Sequence, residues 1–198
     1  MVHTGTSSLP SEGAPDVWAD RRADARRNHE RVLAAAIEVF TEHGLDATVP
    51  QVAARAGVGK ATVYRSYPTK ADLIDAIATL HLDWLRATIA SAVRAAEVDA
   101  FGALSEALHA VTERLATDRL MAEVLARNDG LEADSETDDS AERILALGRE
   151  QGTLRADLTM MDVQVLVGGV AHVLLERGIT DPATWRRYTD LALAALRG

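Results

Sequence analysis

Apolar residues recur along this chain at intervals of three and four, the spacing that gathers them on one side of a helix. Leu33, Ala36, Ile37 and Phe40 follow that rule within a segment predicted helical from about Arg22 to His43, and Gly44 supplies its stop. Thr48 reads as the N-cap of a short helix with Pro50 in its first turn, where a missing N–H costs nothing. Val52, Ala53 and Ala56 give that helix an apolar side, and Gly57 ends it. A second short helix is predicted from Lys60 to Ser66, anchored inward by Val63 and broken at Tyr67-Pro68. Thr69 then caps a long helix in which Asp72 complements the N-terminal dipole. Leu73, Ile77, Leu80, Trp84 and Thr88 share one face of it, to about Ala96.

The same period continues through the rest of the chain. Phe101 to Ala116 carries Leu104, Leu108, Val111 and Leu115, and a shorter helix is expected from Asp118 to Arg127. Asn128 to Ser140 holds six acids and no base, the composition of a solvated loop or frayed helix end. Ile144 and Leu147 restore the period within Ala141–Glu150, and Gly152 to Asp157 reads as a turn. Thr159 is expected to cap a helix reaching Arg177, and Asp181-Pro182 opens the last one, ending near Leu196. No alternating strand pattern competes. The fold class expected is therefore all-α, with about nine helices. Its expected organisation is a disordered tail over residues 1–20, a three-helix helix-turn-helix unit over 21–70 and a larger helical ligand-binding and dimerisation domain over 71–198.

Composition narrows the functions available. The chain has 198 residues, 47% of them hydrophobic, enough for an aliphatic core. It has no cysteine, which excludes disulfides, thiol catalysis and cysteine-ligated zinc. The N-terminal residues, rich in Ser, Gly, Pro and Thr, lack the basic start and apolar run of a secretory signal. Val165 to Leu175, the longest apolar stretch, falls short of the roughly 20 residues that span a bilayer. A cytoplasmic protein without a membrane partner is expected.

Charge is distributed unevenly. The chain carries a net −9, yet Arg21 to Lys70 holds nine bases against five acids, a net of +4. Between Asp46 and Asp72 there is no acid, while Arg55, Lys60, Arg65 and Lys70 stand on a background of small and apolar residues. Lys60 and Lys70 are the chain's only lysines. A basic module on an acidic body suits a protein that presents one end to a polyanion.

Helix, turn and basic helix is also the arrangement that sets one helix in the DNA major groove. The helix start at Thr48 offers backbone N–H groups to a phosphate. Gly59 and Ala61 are small enough for close approach, and Lys60 and Thr62 reach base edges or phosphates. Tyr64 and Tyr67 carry hydroxyl donors, Arg65 adds charge, and Lys70 is placed to neutralise a flanking phosphate. A phosphate-binding P-loop is excluded, because Ala54 and Ala61 occupy positions where that motif needs Gly and Ser or Thr.

These residues resemble the TetR family of transcriptional regulators. The resemblance runs from Val32 through Phe40 and Gly44 to Thr48, Val52-Ala53 and Ala56-Gly57-Val58. It continues through Lys60-Ala61-Thr62-Val63-Tyr64, Tyr67, Lys70 and Leu73. It implies that Thr48, Lys60, Thr62, Tyr64 and Lys70 contact DNA, with Val52, Ala53, Val63 and Leu73 packing beneath them. Two positions depart from the family pattern: Gly59 stands where a polar residue is common, and Tyr67 where Phe is commoner.

The resemblance also implies an all-helical ligand-binding and dimerisation domain after about His81, whose last two long helices meet those of a second copy. Candidates for that interface are Val163, Leu166, Val167, Val170, Val173 and Leu174, on a helix interrupted by Gly168-Gly169. Candidates for a ligand cavity are Trp84, Leu85, Thr88, Phe101, Leu104, His109, Met121, Leu125 and Met161. The function implied is a homodimeric repressor, released from a palindromic duplex operator by a small apolar or amphipathic effector. No catalytic constellation, metal-ligand spacing or cofactor loop is present in the sequence, so neither enzyme activity nor a cofactor is expected. The acidic run from Asp134 lacks the glycine and terminal acid of a calcium loop. The rival readings are a helical protein-interaction module and a ligand-binding protein without specific DNA readout.

Overall fold

The computed structural model describes residues 17–118, 120–122 and 135–198. Within them the helices are α1 (Val17–His43), α2 (Val49–Ala56), α3 (Lys60–Ser66), α4 (Lys70–Ala96) and α5 (Ala100–Thr117). They continue as α6 (Ser135–Glu150), α7 (Met160–Val163), α8 (Gly169–Glu176) and α9 (Pro182–Leu196). No strand occurs among the described residues; one antiparallel bridge, Leu154 with Arg197, pins the end of α9 to the loop after α6. Leu125, most of the helix expected from Asp118 to Arg127, and residues 1–16 of the expected tail lie outside the described residues.

Side-chain caps set several helix starts. The Thr69 hydroxyl accepts from the Asp72 N–H at 3.1 Å while the Asp72 carboxylate accepts the Thr69 N–H at 2.8 Å. Thr159 and Asp162 repeat this box at α7, and the Asp181 carboxylate accepts the Thr184 N–H at α9. Two helices start earlier than the apolar period indicates. The first begins at Val17 because Ala and Arg from residue 19 to 27 continue it without a breaker. The other is already helical at Ser135, where the described residues resume, with Asp138 and Asp139 in its early turns. There acids favour the helix through its dipole, so the acidic run is not a loop from Ser135 onward. The single helix expected from Thr159 to Arg177 is interrupted by a π-helical segment, Gln164–Gly168, which separates α7 from α8.

Three packed clusters hold these elements. Phe40, Val52, Val63, Leu73 and Ile77 are fully buried where α1 to α4 converge, and Leu120 joins them. The second cluster packs Ala92 and Ala96 of α4 against Ala103, Leu104, Leu145, Val163, Val167 and Leu196. Gly148 permits this packing, because a Cβ there would lie 2.3 Å from the Leu154 side chain. The third gathers Leu115, Met121, Ala171, Leu174 and Trp185, whose indole N–H donates to the Ile179 carbonyl at 2.7 Å. Thus α4 contributes to both the N-terminal unit and the body, and any displacement of it is felt in both.

Candidate nucleic-acid interface

The turn between α2 and α3 is built by Gly57. Its φ of +64° is left-handed, and its N–H and that of Val58 donate back to Ala54 and Ala53 at 3.2 and 3.0 Å. This closes α2 and redirects the chain so that Gly59 becomes the N-cap of α3. The Arg31 guanidinium of α1 donates to the Ala56 carbonyl at 2.6 Å, satisfying another helix-end acceptor. Beneath α3, Val63 is fully buried.

With Val63 inward, Gly59, Lys60, Ala61, Tyr64 and Arg65 are exposed and Thr62 is half-buried. Lys60 and Tyr64, four residues apart, share one strip of the helix; Ala61 and Arg65 share the next. A Cβ added at Gly59 would meet only the Thr62 hydroxyl at 3.9 Å, so small size there leaves the outer surface open. Thr48 is exposed at the start of α2, where its N–H and hydroxyl both donate to the Gln51 side-chain oxygen Oε1, at 2.7 and 2.8 Å. Lys70 is half-buried at the start of α4, its ammonium 5.8 Å from the Phe40 ring centroid.

Two residues of the basic stretch behave differently. Arg55 is held by both Glu42 oxygens, at 2.6 and 3.0 Å, and by Glu38 at 2.9 Å. Those bonds hold the guanidinium pKa above its ordinary value and the Glu42 carboxyl below its own. Its charge is balanced within the domain. Tyr67, expected among the DNA contacts, is instead only 4% exposed and sits in the first core. Its hydroxyl meets the His29 ring nitrogens at 3.0 and 3.1 Å, so it faces α1 rather than the outer surface. His29 and Arg31 carry no pattern that marks them in the sequence; the one hint is a hydroxyl on an inward-facing ring, which demands a partner.

Residues 32–77 match the family model described as bacterial regulatory proteins, tetR family. An uncharacterized HTH-type transcriptional regulator from Mycobacterium bovis is 41% identical over 75 residues, 37% of this chain and 34% of that relative. The match thus spans about a third of the length of this curated relative. Similarity to solved structures extends much further along the chain. A TetR transcription regulatory protein from Mycobacterium vanbaalenii is 26% identical with a TM-score of 0.62, covering 90% of this chain and 99% of that one. A structure described as the molecular basis for control of antibiotic production by bacterial hormones is also 26% identical, with a TM-score of 0.68 over 87% and 98%. Residues 32–77 are a TetR-family segment, and the chain as a whole shares the fold of TetR-family structures.

In the helical body the ligand-cavity candidates are scattered. Trp84 and Thr88 line an open recess of about 410 Å³ between α4 and α5, with Ser91, Glu106 and a run of alanines. Leu85, Leu104 and Met121 are buried in the packed interior. Phe101 lies under the Arg197 guanidinium, 4.8 Å away, and His109 pairs with Asp190 at 3.0 Å. Met161 is exposed on the far side of α7. The interface candidates divide in the same way. Val163, Val167 and Leu174 face the chain's own core and Val170 packs against it, whereas Leu166 and Val173 are exposed. Met161 and Val165 lie exposed in the same helical run, and Tyr188 and Leu191 are exposed on α9. Among the described residues no helix is long and apolar enough to cross a membrane, and no metal-ligating cluster occurs.

Proposed function

We propose that the chain is a sequence-specific, double-stranded-DNA-binding transcriptional regulator that acts as a homodimeric repressor in the cytoplasm. The observation that carries this reading is the outward face of α3, where Lys60, Tyr64 and Arg65 are exposed in a stretch free of acids. Thr48 and Lys70 flank it at two other helix starts. The α3 side chains meet base edges and the phosphates beside them, and the flanking groups meet further phosphates. One seven-residue helix makes few contacts, so two copies with reading helices about one DNA turn, roughly 34 Å, apart are required on a palindromic operator.

The second copy docks on the exposed apolar residues of α7, the π segment, α8 and α9. Gly168 and Gly169 support this, because a Cβ at either would meet nothing within 4 Å inside the chain. Their small size is therefore not required by the subunit's own packing, and bare backbone suits close approach by a partner helix. The effector is a small apolar or amphipathic molecule held against Trp84 and Thr88. By wedging α4 from α5 it moves α4, whose first turns belong to the reading unit, and alters the half-site spacing. The similar structure connected with bacterial hormones supports a diffusible signal of this kind.

The test is fluorescence anisotropy with labelled duplexes from around the chain's own gene, across a range of salt. Binding is expected to favour one imperfect palindrome and to be lost in a Lys60→Ala, Tyr64→Ala double variant. Weak binding that is equal on all duplexes and unchanged in the variant overturns the reading.

A further inference from the structure

We propose that His29 and Tyr67 form a lock that fixes the pose of α3, making His29 a positioning residue for sequence discrimination. The inference rests on the DNA-reading role of α3 proposed above. His29 lies before the residues matched by the family model, 32–77.

The need for such a lock follows from the size of α3. A seven-residue helix with one fully buried apolar side chain, Val63, has a single pivot in the core. A pivot sets depth and leaves rotation about it weakly resisted. The two ends of the turn–helix segment are tied down by α1. At the entrance, Arg31 donates to Ala56 O at 2.6 Å, just before Gly57 turns the chain. At the exit, Tyr67 is the C-cap residue, its N–H donating to Val63 O at 2.8 Å, and Pro68 prevents the helix from continuing.

The Tyr67 side chain then reaches back to α1. Its ring stacks on His29, with centroids 5.4 Å apart and planes at 25°, which brings its hydroxyl over the imidazole, 3.0 and 3.1 Å from the two ring nitrogens. A phenylalanine would fill the same space without that bond. Burial of the phenol raises its pKa, so it remains a neutral hydrogen-bonding group. A hydroxyl can both donate and accept, so it suits either tautomer of the ring. Tyr67 thus acts from inside the domain, on the orientation of Lys60 and Tyr64, without touching DNA.

The experiment uses the full chain and a duplex enriched by the wild-type protein from a random-sequence library. Affinities for that duplex and a scrambled one are measured at several salt concentrations for wild type, Tyr67→Phe, His29→Ala, His29→Gln and the Tyr67→Phe, His29→Ala pair. Amide hydrogen exchange is followed in the free proteins over residues 60–67 and 100–117. Each of Tyr67→Phe and His29→Ala is expected to lower the specific-to-scrambled ratio by about fivefold, the worth of one hydrogen bond. The pair falls no further than either alone. His29→Gln, which keeps a partner for the hydroxyl, recovers most of the ratio, and the salt slope does not change. Exchange quickens over 60–67 and stays constant over 100–117.

A shallower salt slope in Tyr67→Phe or His29→Ala would instead mean a lost phosphate contact and would overturn the lock. An unchanged ratio, or exchange that quickens equally in both segments, overturns it too. Should the wild type enrich no sequence, the regulator reading fails by itself, and exchange decides the lock: unchanged protection over 60–67 removes it, and local quickening keeps it as the device that orients α3.

Discussion

A guanidinium that already bridges two carboxylates has little to offer a phosphate, and Arg55 is held in that way by Glu38 and Glu42. Lys60 stands five residues further on, exposed at the first position of α3. The difference predicts different salt behaviour on DNA. Each phosphate neutralised contributes about 0.9 to the slope of log affinity against log salt. Lys60→Ala is expected to flatten the slope by about that amount, whereas Arg55→Ala leaves it unchanged, as measured by titrating the enriched duplex at four salt concentrations. Equal flattening in both variants would place Arg55 at the DNA. The exposed strip of α3 was legible in the sequence, because helical period alone sets Lys60 and Tyr64 on one strip, with Tyr64 turned about 100° from the apolar Val63. The pairing of Arg55 was not, since its partners lie 13 and 17 residues earlier and meet it only when α1 packs across α2. Tyr67 escaped for the same reason: its partner stands 38 residues away on α1.

Helix α4 is the element that couples the two halves, and its midpoint carries a buried imidazole. His81 is 1% exposed; its Nε2 faces Asp118 at 3.5 Å, and the Arg114 guanidinium approaches its Nδ1 at 3.4 Å. Burial holds its pKa below the ordinary value; Asp118 pulls the other way and Arg114 reinforces the lowering. In the unfolded chain the imidazole takes a proton near pH 6.5. Below about that pH the unfolded state binds the proton first, so stability is complete above it and falls as pH drops toward the folded value. The slope reaches at most about 1.4 kcal/mol per pH unit. Thermal unfolding between pH 7.5 and 5.5 should therefore show a falling Tm in wild type and a flatter response in His81→Gln. Parallel responses would dismiss His81 as the cause. At this scale the apolar period located both ends of α4 and the whole of α9. It misplaced the start of α6, whose first turns are acidic and stabilised by charge at the helix terminus rather than by an apolar face. It also missed the π segment, because one inserted residue shifts a helix face without altering the composition of the run.

For the whole molecule the unresolved chemistry is the apolar face on α7, α8 and α9. Val165 and Leu191 are 62% and 55% exposed, and Val165 stands three and four residues before Gly168 and Gly169 in the same helical run. Apolar residues turned inward at Val163, Val167 and Leu174 serve the subunit's own core, which leaves those turned outward to form the proposed docking face. Sequence period could not separate the inward from the outward side of this helical run, since Val165-Leu166-Val167 is apolar in every direction. A Val165→Glu, Leu191→Glu variant tests the assignment. Surface positions tolerate substitution within about 0.5 kcal/mol, so the monomer should stay folded with unchanged helical content. In a self-docking face each charge meets an apolar surface on the partner, and the dimer should dissociate, as read by sedimentation equilibrium. Operator affinity should then fall by about 100-fold or more, because the second half-site no longer binds at high effective concentration. A variant that remains dimeric would show that the two copies meet elsewhere. One that becomes monomeric yet keeps full affinity would show that a single reading helix suffices, against the requirement for two half-sites.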